Sequence, residues 1–107
     1  MCEVKLDMNC NINDLIDQVY KMTGTLIKKN GITYSSPNGN DKWISILNDE
    51  QVVSMYWHPT KRHHATAHGK TKPPRSKAAP RCWAVAIAMR SSLPNTNKTY
   101  YGADADD

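Results

Sequence analysis

Lys42-Trp43-Ile44-Ser45-Ile46-Leu47-Asn48-Asp49-Glu50-Gln51-Val52-Val53-Ser54-Met55-Tyr56-Trp57 is the stretch that decides the fold. Residues 42–47 are rich in β-formers, with Trp43 and Ser45 on one face and Ile44 and Ile46 on the other, a half-buried strand pattern. Asn48-Asp49-Glu50 is a turn, and Gln51 to Trp57 is a second β-prone run. Two such runs joined by a three-residue turn predict an antiparallel hairpin.

Working outward toward the N-terminus, Ser36-Pro37-Asn38-Gly39 places proline second in a turn and Asn-Gly after it. Leu26-Ile27 and Ile32-Thr33-Tyr34 precede that turn as further strand material, with Gly31 as a bulge or bend between them. Residues 25–57 therefore read as an antiparallel meander. Ahead of it, Ile12, Leu15, Ile16, Val19 and Met22 share one helix face. Asn11 or Asn13 can cap that helix, Asp14 and Asp17 suit its positive end, and Gly24 closes it. Such a helix covers one face of the meander. Glu3 to Met8 alternates as a short strand.

Toward the C-terminus the composition changes abruptly. Residues 60–81 contain seven Lys or Arg, three of the four His, three Pro, and no apolar side chain larger than Ala. Composition of that kind predicts a basic flexible arm, 59–81, outside the core. Cys82 to Met89 is apolar again, with Trp83, Val85, Ile87 and Met89 alternating with Cys82, Ala84, Ala86 and Ala88. That alternation reads as a central strand whose small face packs close under a helix; a helix is the other reading. Thr99-Tyr100-Tyr101 reads as an edge strand. The whole is an α+β single domain, 1–107: a core of 1–58 and 82–102, the arm, and an acidic tail, 103–107.

Charge is strongly polarised. Residues 1–50 hold five basic and seven acidic side chains, whereas between Glu50 and Asp104 there are nine Lys and Arg and no carboxylate. A field of one sign over half of a small protein attracts polyanions. The sequence reading is accordingly a small nucleic-acid-binding protein, RNA or DNA, of the phage, viral or mobile-element accessory kind. Its phosphate contacts are Lys61, Arg62, Lys70, Lys72, Arg75, Lys77 and Arg81, with Tyr56 and Trp57 as stacking candidates. An alternative is a module that docks on an acidic protein surface. A second is a metal-independent endoribonuclease using His58, His63 or His64 as acid and base, although the chain leans away from being an enzyme. No cofactor is expected. If a metal binds, His64 and His68, four apart as on a helical turn, would hold it with Cys82.

The first residues lack a basic segment followed by an apolar run, which predicts a cytoplasmic chain, or a nuclear one if 70–81 serves as an import signal. Cys2, Cys10 and Cys82 make an odd count without a CxxC pair, and this reads as free thiols. No apolar stretch is long enough to span a membrane. Self-pairing through a bare sheet edge would give a homo-oligomer.

The helix, Lys28-Lys29-Asn30-Gly31-Ile32-Thr33-Tyr34, and Ser36-Pro37-Asn38-Gly39 with the strand after it together resemble the small HicA-type toxins over residues 12–48. The resemblance implies a double-stranded-RNA-binding-like fold and RNA cleavage. The catalytic His that family carries after the glycine is replaced here by Ile32-Thr33, so only the α–β–β–β order carries over.

Overall fold

The computed structural model describes residues 11–70, 74–93 and 96–104. The expected strand at Glu3–Met8, the arm's Lys72 and the tail's Asp106 and Asp107 lie outside these. One helix, α1 (Ile12–Thr23), precedes seven strands: β1 (Ile32–Ser35), β2 (Lys42–Leu47), β3 (Gln51–Trp57), β4 (Arg62–His68), β5 (Arg75–Ala78), β6 (Trp83–Met89) and β7 (Lys98–Asp104). All strand pairings are antiparallel, in a four-stranded sheet ordered β1-β2-β3-β6 and a three-stranded sheet ordered β5-β4-β7. The fold is α+β, as the sequence implies.

The helix forms where its signals stand. Asn11 caps it, its side chain accepting from the Asp14 amide at 2.9 Å, and Gly24 ends it at φ 75°, its amide donating to the Tyr20 carbonyl. Leu15, Ile16 and Val19 are fully buried, while Met22 turns out to solvent. The Ser36–Gly39 turn closes as read, with the Gly39 amide donating to the Ser36 carbonyl at 3.1 Å. Leu26 and Ile27 do not form a strand. Their segment's backbone groups are taken up by side chains: Gln51 Nε2 donates to the Leu26 carbonyl and Gln51 Oε1 accepts from the Lys28 amide. Gly31 follows at φ 68° with its Cα so close to β2 that a Cβ would lie 2.2 Å from the Leu47 carbonyl oxygen.

Two cores result, one on each face of the larger sheet. Alternate residues of β3 divide between them. Val53, Met55 and Trp57 join Ile44, Ile46 and Trp83 under α1. Val52 and Tyr56 join Ala65 and Ala67 of β4 and Ala84, Ala86 and Ala88 of β6 between the sheets. The molecule is thus a three-layer stack of helix, four-stranded sheet and three-stranded sheet.

Three expectations are corrected here. The flexible basic arm is instead β4 and β5, with their loops, and supplies most of the second sheet. Its stabilising pattern is strict alternation: His63, Ala65 and Ala67 point inward and are buried, and Arg62, His64, Thr66 and His68 point outward. Residues 82–89 do form a strand, but β6 lies at the end of the described strand order, not at its centre. Its bulky face, not its alanine face, packs on the helix, and the alanine face meets the second sheet. Finally, Cys82 is not a free thiol but is disulfide-bonded. The chain's other cysteines, Cys2 and Cys10, fall outside the described residues.

Candidate functional site

The residues expected to carry chemistry separate into a buried seam and an open face. The seam starts at Asp41, just before β2 and wholly buried. Its carboxylate accepts from the Asn38 amide and the Asn38 side chain, both at 2.9 Å, and from the Tyr56 hydroxyl at 2.5 Å. Burial alone would raise the Asp41 carboxyl, but the Tyr56 and Asn38 hydrogen bonds outweigh it and hold the group below its ordinary value. Burial, then the hydrogen bond to Asp41 and its charge, push the Tyr56 phenol far above its usual range, so it remains a donor. Ser54 bridges the layers nearby: it accepts from Trp43 Nε1 at 3.0 Å and donates to the Tyr100 carbonyl at 2.7 Å.

His58 and His63 complete this seam. His58 Nδ1 accepts from the amides of Thr60 and Lys61, at 3.2 and 3.1 Å, and so shapes the turn from β3 to β4. His63, 1% exposed, sets its ring nitrogens 2.9 Å from the Lys61 carbonyl oxygen and 2.6 Å from that of Cys82. Both rings are engaged by backbone inside the protein and are not presented to a substrate. Tyr56 and Trp57, the stacking candidates, are likewise core residues.

Burial depresses the His58 imidazole's affinity for a proton, His63 adds to this, Asp41 opposes it, and Lys61 adds a little more. The folded state therefore favours neutral His58. Its contribution to stability is complete above the ordinary histidine value near 6.5 and is lost as pH falls below that toward the folded value. The melting temperature should fall between pH 7 and pH 5. His58→Asn, whose side-chain oxygen can accept from the same amides without titrating, should reduce that slope. Parallel pH profiles for wild type and variant would show that His58 is not responsible.

The open face is the outer side of the second sheet. Antiparallel register sets Lys77 and Gly102 beside His64, Arg75 and Tyr100 beside Thr66, and Lys98 beside His68, with Arg62 at the far end of β4. Arg62, Arg75, Lys77, Lys98 and Tyr100 are exposed. Arg75 Nη2 donates to His64 Nδ1 at 3.1 Å. The His64 ring lies over Gly102, where a Cβ would come within 2.3 Å of it. His68 meets Tyr100 edge-on at 5.0 Å.

Lys61, Lys70 and Arg81 are also exposed, but they sit in connections off this face. The Lys70 amide donates to the Met89 carbonyl, and that of Arg81 to His58. The helical spacing read into His64 and His68 does not exist: on a strand they stand about 13 Å apart at roughly 3.3 Å per residue. Cys82, the third ligand in that reading, is disulfide-bonded. Among the described residues no group of three or more His, Cys, Asp or Glu is placed to hold a metal ion. Lys98, Tyr100 and Gly102 escaped the sequence reading because they lie some 20 residues beyond the basic segment, and only strand pairing brings them to it.

Residues 44–101 match the family model described as Bacteriocin (Lactococcin_972), a span from β2 into β7 and more than half of the chain. No curated protein and no solved structure matches. The match overturns the nucleic-acid reading, and the viral accessory and RNA-cleaving readings with it. The positive field was real, but a charge pattern specifies the sign of a partner and not its identity. A bacteriocin acts on other bacterial cells, so the cytoplasmic or nuclear placement is corrected too. The chain belongs to the lactococcin 972 family of bacteriocins.

Proposed function

We propose that this protein is exported and inhibits the growth of other bacteria from outside the cell. The family match over residues 44–101 carries the reading. The disulfide at Cys82 supports it, because such bonds persist in oxidising, extracytoplasmic surroundings and are rare in the cytosol. No described helix is long and apolar enough to cross a membrane.

Purified, oxidised protein spotted on lawns of bacteria related to the producer is expected to clear growth in a dose-dependent way. The protein should be recovered from culture supernatant. Absence of inhibition across such a panel, with the protein retained in the cell, would overturn the proposal.

A further inference from the structure

We infer that the outer face of the β5-β4-β7 sheet docks on an anionic phosphodiester polymer of the bacterial cell wall. The inference rests on the proposed extracellular action and names the surface and partner for it.

The first ground is sign. All of β4, β5 and β7 up to Ala103 comes from the stretch without a single carboxylate. Arg62, Arg75, Lys77 and Lys98 project from one side of this sheet. The ion pairs among the described residues belong to Lys21 and Lys28, neither of them on this sheet. All four side chains are exposed, with Arg75 donating to His64 and Arg62 standing opposite Asp104 at the end of β7.

Spacing is the second ground. Successive outward residues on a strand are roughly 7 Å apart, with neighbouring strands about 4.8 Å away. Arg75 and Lys77 on β5, the Arg62–His68 run on β4 and Lys98 on β7 thus form a flat array wide enough to follow an extended chain of phosphates. Arginine forks and lysine point charges both suit phosphate oxygens.

A third ground separates a polymer from a lipid bilayer. Among the described residues this face presents Tyr100 as its one large ring and no Leu, Ile, Val, Met or Trp. Interfacial membrane binding needs apolar side chains that enter the acyl boundary, and the face has none to supply. The sheet is held rigid from beneath by Ser54 on the Tyr100 carbonyl and by the Ser45–Thr99 hydroxyl pair at 2.7 Å. Binding would therefore cost little ordering of the protein.

The test is co-sedimentation of the full oxidised protein with purified cell walls, before and after hydrofluoric acid has removed their phosphodiester polymers. Walls should carry the protein down in a salt-sensitive manner, and stripped walls should not. The quadruple variant Arg62→Gln, Arg75→Gln, Lys77→Gln, Lys98→Gln, checked for an unchanged melt, should bind about tenfold or more weakly. A second variant, Lys21→Gln with Lys29→Gln, removes two cations elsewhere and should bind as wild type.

Equal binding to intact and stripped walls, or undiminished binding by the quadruple variant, would overturn the inference. So would sedimentation with phosphatidylglycerol vesicles but not with walls. Sedimentation needs no killing, so the docking surface can fail while growth inhibition stands, and inhibition can fail while docking stands.

Discussion

Breaking the disulfide at Cys82 is expected to lower the melting temperature by on the order of 15 °C, the largest single effect anticipated in this molecule. Cys82 is 3% exposed and stands immediately before β6, the strand that faces both cores. Its carbonyl oxygen meets the ring of His63, and the next residue, Trp83, is buried beneath α1. The chain's other cysteines lie at positions 2 and 10, so a bridge to either closes a loop of more than 70 residues. In the chain-entropy account a loop of that length restricts the unfolded state by roughly 4 kcal/mol. For a domain of this size each kcal/mol moves the midpoint by about 4–8 °C, so even a partial return on that figure is easily measured. Thermal melts of oxidised protein, of protein held in excess reductant and of Cys82→Ala should show the oxidised form well above the other two. Three coincident melts would show that the bridge contributes nothing to the fold.

That bond also marks where reading the sequence ran out. An odd cysteine count is compatible with one bridge and one remaining thiol, and nothing local to Cys82 announces a partner more than 70 positions away. Local signals served better. Asn11, Gly24 and the Ser36–Gly39 turn behave as read because each depends on hydrogen bonds within four residues. The alternation of β2 was legible because Ile44 and Ile46 are large enough to register as an apolar face.

Beyond the edge strand read at Thr99–Tyr101, the second sheet was illegible for the opposite reason. β4 alternates strictly, but its inward residues are His63, Ala65 and Ala67, two methyl groups and an imidazole, and its outward ones include Arg62 and two more histidines. Seven cations and three prolines in 22 residues masked that pattern. The same alternation that makes the segment a strand gathers Arg62, Arg75 and Lys77 onto one side, so the charge anomaly was visible in the sequence while its geometry was not. Of the seven cations singled out in the sequence, three face outward together, three lie in connections, and Lys72 is outside the described residues.

Ala86→Leu is expected to destabilise the protein by about 3 kcal/mol, whereas Ile87→Leu, one residue further on the same strand, should cost less than about 1.5 kcal/mol. The contrast comes from the two faces of β6. Ile87 packs on the helix-side core, where exchange between branched side chains of equal volume can be absorbed by rotamer changes. Ala86 is paired with Ser54 and is 3% exposed between the sheets, opposite a partner strand whose inward residues include Ala65 and Ala67. The longer side chains of that core, Val52 and Tyr56, are themselves fully buried.

The backbones are close as well. A Cβ on Gly69, where β4 ends, would fall 2.1 Å from the Met89 carbonyl oxygen, so the second sheet has no room to slide. Three added carbons at position 86 must therefore lift one sheet from the other. That movement would stretch the Ser76 hydroxyl that accepts from the Val85 amide at 3.2 Å, and the Ser54 hydrogen bond to the Tyr100 carbonyl. Denaturant unfolding of the two variants decides the matter. If Ala86→Leu falls within 1 kcal/mol of wild type, the alanine face is not the close contact described here. If it falls as expected, docking of the cationic sheet onto the rest of the molecule depends on the smallness of the alanines that β4 and β6 present to one another.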